Sequence, residues 1–123
     1  MTLVFSLQIW YNGAEEKERR KHNMVKHVVM WKFKEIGERN TKEQNLDLAC
    51  EKLSSLQGLV PQIKSLSVGK NKGDAANNYD LVLIVDFDNR KDLAAYLEHP
   101  EHQKVANFIK KVKIGKVAVD YEF

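Results

Sequence analysis

The chain has 123 residues, 43% of them apolar, and 20 basic against 17 acidic side chains give a net charge of +3. This is one domain with material for one core, and its interspersed charges exclude the one-sided basic stripe of a nucleic-acid binder. The lone Cys50 excludes an intrachain disulfide and suits a reducing cytoplasm, and no apolar run approaches the roughly 20 residues of a membrane-spanning helix.

Residues 1–23 differ from the rest. Leu3, Phe5, Leu7 and Ile9 alternate, and the charge run Glu15-Glu16-Lys17-Glu18-Arg19-Arg20-Lys21 follows. There is no basic leading segment and no small-residue cleavage site, so a secretory signal is not expected here. Every residue of the charge run can be encoded by purines, as a translated ribosome-binding site just upstream of Met24 would be. Two readings stay open: an N-terminal extension ahead of a natural start at Met24, or an extra edge strand with a solvated linker.

From Met24 onward the pattern predicts β-α-β-β-α-β. Lys26 to Phe33 alternates, with His27, Val29, Trp31 and Phe33 on one face. Gly37 and Asn40 mark a loop. Thr41 and Gln44 have capping-box spacing for a helix start. Leu46, Ala49, Cys50, Leu53 and Leu56 form its apolar stripe, with Gly58 as terminator and Pro61 as block. A strand is expected from Gln62 to Lys70, a hairpin loop over Asn71 to Asn78, and the strongest strand over Tyr79 to Phe87. A broken helix spans Arg90 to Val112, and Lys113 to Phe123 closes as a strand with Val117, Val119 and Tyr121 on one face.

Two helical units cover one face of a four-stranded antiparallel sheet, which ordinarily leaves the other wet. Here the second face is expected to carry Val28, Met30, Val82, Ile84 and Ala118. A second copy packed by a two-fold contact would bury it, so a homodimer with an eight-stranded, barrel-like core is expected.

The segment Tyr96-Leu97-Glu98-His99-Pro100-Glu101-His102 is the richest in chemistry. Pro100 should end one helix and start the next. Tyr96 then falls in the last turn of the first helix, beside Leu93 and Leu97. His102 falls in the first turn of the second, ahead of Val105, Phe108, Ile109 and Val112. A neutral imidazole can take a proton from a carbon between two carbonyls, and a phenol can donate to the developing enolate. The alternative is a buried Tyr96–His102 hydrogen bond that pins two helices to the sheet. His99 stands where an N-cap is useful, with a ligand role as its alternative. His27 either lines a pocket or is a core histidine bonded to backbone. His99 and His102 share a face with Glu98 or Glu101 adjacent, but spacing specifies no third ligand, so no metal is expected. Trp31 and Phe108 could flank a haem, yet no residue stands out as an axial ligand, so no cofactor is expected.

The core resembles the stress-responsive A/B-barrel (Dabb) family. The matching residues are Val25-Lys26-His27-Val28-Val29, Phe33-Lys34, Leu59-Val60-Pro61, Gly69 with Asn71, Tyr79-Asp80, the Tyr96-to-His102 segment, and Val119-Asp120-Tyr121. The resemblance covers residues 24–123 and implies an α+β, ferredoxin-like fold that dimerises into an α+β barrel. Many members have no assigned activity, and a few plant members are polyketide cyclases. Their tyrosine and histidine are spaced as Tyr96 and His102 are, with a pocket histidine at the position of His27. The chain departs from them at Leu81, where a cyclase places a further histidine. The resemblance thus implies a small hydrophobic or carbonyl-containing ligand between sheet and helices. Tyr96 and His102 are the candidate catalytic pair, and His27, Val29, Trp31, Leu83, His99 and Phe108 the candidate lining. Cyclase-like acid–base chemistry and a non-catalytic structural role stand as alternatives.

Overall fold

The computed structural model describes residues 23–123, so the two readings of residues 1–23 lie outside the described residues but for Asn23. The order is β1 (Val25–Phe33), β2 (Ile36–Gly37), β3 (Asn40–Thr41), α1 (Lys42–Leu59), β4 (Ser65–Lys70), β5 (Leu81–Phe87), α2 (Arg90–Glu98), α3 (Pro100–Val112) and β6 (Lys113–Glu122). The main sheet is antiparallel in the order β4-β5-β1-β6, the ferredoxin-like arrangement expected from the pattern.

Local chemistry explains each boundary. The Thr41 hydroxyl accepts from Gln44 N at 3.2 Å and the Gln44 side chain accepts from Thr41 N at 2.9 Å, closing the predicted capping box. Gly58 does not end α1. The helix continues through it to Leu59, and Val60 is the C-cap in an extended conformation. Pro61 imposes this, since a residue before proline is driven out of the helical region. The Asn89 side chain caps α2 by accepting from Asp92 N at 2.8 Å.

The predicted loop at Gly37 and Asn40 is a tight hairpin. Its two turn residues, Glu38 and Arg39, both hold positive φ, at 49° and 67°, as a type I′ turn requires. Asn45, fully buried and outside the apolar stripe read from the sequence, donates to Gly37 O at 3.0 Å and ties the hairpin to α1. A Cβ on Gly37 would stand 3.2 Å from Val112 Cγ1, so a larger residue there would press the hairpin against the end of α3. The two middle strands of the pattern are shorter than expected, starting at Ser65 and Leu81 rather than Gln62 and Tyr79.

The core lies between the helices and one sheet face. Val25, Val29, Trp31 and Phe33 of β1 and Leu81, Leu83, Val85 and Phe87 of β5 meet Leu46, Ala49, Leu53 and Leu56 of α1 and Val105, Ile109 and Val112 of α3. Each large aliphatic side chain so buried contributes about 1.5–3 kcal/mol. On the opposite face Met30, Val117, Val119 and Tyr121 are exposed. Ala118 is not among them. It pairs with Val29 and shares its side of the sheet, while Val119 and Val117 pair with Val28 and Met30 on the uncovered side. The register shifts between Lys32 and Phe33, leaving Ile114 as the extra residue of a bulge. Among the described residues no helix is long and apolar enough to cross a membrane.

Candidate functional site

The strand β6 runs along the edge of the sheet beyond the cover of the helices and is exposed along most of its length. The gap between this strand, β1 and α3 is a cavity of about 100 Å³. Val29, Trp31, Leu53, Leu83, Leu97, Val105, Ala106 and Ile109 supply its apolar wall, and His27, Tyr96, His102, Lys113 and Lys116 its polar groups.

Each polar group has a local reason for its place. Proline at the first position of α3 ends α2 at Glu98, so Tyr96 and His102 lie either side of a joint at His99. Their rings stand 4.5 Å apart, and the Tyr96 ring is 5.9 Å from His27 and 5.1 Å from Phe87. No Tyr96–His102 hydrogen bond forms, against the structural alternative drawn from the sequence. The Tyr96 hydroxyl is buried and has no hydrogen-bond partner among the described residues, and His102 Nδ1 lies 3.1 Å from Leu97 O instead. A carbonyl only accepts, so Nδ1 carries the proton and Nε2 keeps its lone pair. His102 is half-buried rather than interior, because the one-residue joint leaves its ring beside the C-terminal end of α2, against Leu97 O.

His27 is treated the same way by a different partner. In the β1–β6 register it stands opposite Asp120, and Nδ1 meets Asp120 Oδ1 at 2.6 Å. A carboxylate also only accepts, so Nδ1 carries a proton in this contact. Both cavity histidines are thus held with Nδ1 spent on orientation.

Burial pushes the Tyr96 phenol far above its ordinary value of 10. It is therefore a donor at every physiological pH, not a phenolate. Burial also pulls the His102 imidazole below its ordinary 6.5. The Leu97 carbonyl opposes this, and the charges of His27, Lys116 and His99 reinforce it. His102 is consequently neutral near pH 7, the form that accepts a proton.

Of the expected lining residues, the structure brings His27, Val29, Trp31 and Leu83 together with Tyr96 and His102. His99 and Phe108 are not in the cavity wall. The His99 ring caps α3, accepting from Glu101 N at 3.1 Å. Phe108 packs on the side of α3 toward α1, half-buried, with Lys52 Nζ 5.2 Å from its ring centre. Asp120, Lys113 and Lys116 belong to the site although no spacing in the sequence singled them out. They come from β6, and only the register places Asp120 against His27 and Lys116 against Trp31. Among the described residues no three His, Cys, Asp or Glu side chains gather as a metal site.

The comparisons with known proteins agree with this architecture. A dimeric, ferredoxin-like protein of unknown function from Bacteroides fragilis superposes with a TM-score of 0.70 at 28% identity, covering 82% of this chain and 97% of that one. A dimeric ferredoxin-like protein of unknown function from Thermobifida fusca gives 0.70 at 25% identity, covering 81% and 91%. The hydroxynitrile lyase of Passiflora edulis gives 0.70 at 18% identity, covering 83% and 94%, a likeness of fold. A search of curated proteins found no match. The family model for the stress responsive A/B barrel domain matches residues 25–123, spanning every element described above, and the chain belongs to that family.

Proposed function

We propose that this protein is a cytoplasmic homodimer that binds a small carbonyl-containing molecule in the cavity between sheet and helices. The Tyr96 hydroxyl is the observation that carries the reading. It is buried, unpartnered and in the cavity wall. An unsatisfied buried hydroxyl costs about 1–3 kcal/mol, a cost that a ligand carbonyl accepting its proton removes. The apolar wall supplies affinity and the polar side chains supply orientation.

A second reading, acid–base catalysis, is favoured by the tautomer of His102. With its Nδ1 proton engaged by Leu97 O, Nε2 is available to take a proton from a carbon next to the carbonyl that Tyr96 holds. The oxyanion that develops is met by the Tyr96 O–H. The hydroxynitrile lyase that shares the fold acts as a lyase in its own right, and this reading extends the same kind of chemistry to the present chain. The homodimer is supported by the exposed apolar side chains of the outer sheet face and by the dimers described for the Bacteroides and Thermobifida proteins.

The test is a thermal-shift screen of small ketones and aldehydes at millimolar concentration on wild type and Tyr96→Phe. A ligand of the native state raises the melting temperature. A carbonyl compound should stabilise the wild type and lose its effect on Tyr96→Phe. Equal shifts on both proteins, or none on either, sink the reading.

A further inference from the structure

We infer that the cavity takes a small apolar oxo acid, its carbonyl received by Tyr96 and its carboxylate held at the mouth by Lys113 and Lys116. The inference rests on the proposed binding role and adds the charge and size of what is bound.

The charge comes from β6. Lys113 and Lys116 line a cavity whose wall is otherwise apolar or histidine and tyrosine. Among the described residues neither lysine stands in an ion pair, whereas Lys26, Lys42, Lys64, Lys70 and Lys104 each do. The nearest acid on the same strand, Asp120, is engaged by His27. A solvated lysine is ordinary on a protein surface. Two of them lining an apolar cavity, with no acid among the described residues set against them, put positive potential where a ligand's polar end would emerge. The potential is felt inside as well, since the Lys116 charge is among the influences that hold His102 neutral.

The interior asks for a different group. The Tyr96 hydroxyl is a buried donor there with no partner among the described residues, and His102 turns a lone pair rather than a proton to whatever it meets. A carboxylate placed there would face that lone pair. A ketone or its enol suits the position, because it accepts from Tyr96 and, as the enol, donates to an imidazole. The two ends of the site therefore select two different functional groups on one molecule.

Size narrows the class. A cavity of roughly 150 Å³ holds the six heavy atoms of one benzene ring, so this one, at about 100 Å³, encloses on the order of four heavy atoms. A short chain bearing one inner carbonyl and one outer carboxylate fills it, and a long acyl chain does not.

The experiment measures the dissociation constants of 5-oxohexanoate, hexanoate and 2-hexanone by calorimetry. These probes carry both groups, the charge alone and the carbonyl alone. The proteins are wild type, the double variant Lys113→Gln/Lys116→Gln and Tyr96→Phe, each checked for an unchanged fold by circular dichroism. 5-Oxohexanoate should bind wild type best and lose about tenfold in the lysine variant, the sum expected of two exposed charge contacts. The 2-hexanone affinity should not change there. Tyr96→Phe should make 5-oxohexanoate and hexanoate alike. If 2-hexanone matches 5-oxohexanoate on wild type, or both weaken equally in the lysine variant, the charge inference is overturned while the cavity remains a carbonyl site. If none of the three binds wild type, the binding reading itself fails and takes this inference with it.

Discussion

The two faces of the sheet are built from the same strands with the same alternation, yet they end differently. On the face under the helices, β1 and β5 close against α1 and α3, and Phe33, Val85, Phe87 and Leu56 are almost wholly out of water. On the other face Met30, Val117, Val119 and Tyr121 remain 40–60% exposed. The covered face is complete within one chain except where β6 outruns the helices, and that exception is the cavity. The uncovered face is the one that the proposed homodimer buries. On that reading folding and assembly use opposite sides of one sheet, and the candidate site lies on the folding side, where the cover runs short.

The sharpest way to break this contrast is to charge the uncovered face. Val119→Glu, at 60% exposure, should leave the monomer's stability nearly unchanged. It should also weaken the dimer by roughly 2 kcal/mol, about thirtyfold in its dissociation constant. Sedimentation equilibrium reads this directly, and an unchanged dimer would place the interface elsewhere.

On the covered face the opposite kind of change is expected. Tyr96→Phe removes a hydroxyl with no partner and should raise unfolding stability by about 1 kcal/mol. A loss of stability in urea titration would mean that the hydroxyl is already satisfied.

A smaller effect is set by pH. The unfolded imidazole of His102 titrates near 6.5 and the folded one lower, so below pH 6.5 the unfolded chain binds more protons at this residue. Its contribution to stability is undiminished above that pH and declines as pH falls through the interval between the two values. The His102→Gln variant should show a flatter stability profile between pH 7 and 5 than wild type. Parallel profiles would remove His102 from the account.

Much of this was legible in the sequence for a definite reason. Where one face of a strand or helix is buried, apolar period and burial coincide. His27, Val29, Trp31 and Phe33 were assigned to one face on that basis, as were Leu46, Leu53 and Leu56. The capping box at Thr41 and the break at Pro100 are local chemistry and equally readable. Ala118 was misassigned because β6 buries neither face within one chain, leaving its alternation with nothing to mark inside from outside. Asp120, Lys113 and Lys116 drew no site role from spacing because they meet the site by cross-strand register, a non-local quantity fixed in part by the bulge at Ile114. Phe108 shares the α3 period with Val105 and Ile109, but the packing of α3 on α1 turns it toward Lys52 and away from the cavity. The Tyr96–His102 hydrogen bond failed for a related reason. Sequence spacing brings two rings close, but it does not say that Leu97 O lies nearer to the imidazole nitrogen.

The joint at His99 and Pro100 has a consequence for how such a site can diverge. Tyr96 ends one rigid rod and His102 begins another, and a single residue, His99 at φ −65° and ψ 136°, sets the angle between them. A few degrees there swings the imidazole relative to the phenol, and with it Val105, Ala106 and Ile109 of the same helix. The shape of the cavity can therefore change through the elbow without any change in the residues that line it, so chains with an identical Tyr-x-x-His-Pro-x-His spelling need not present the same cavity.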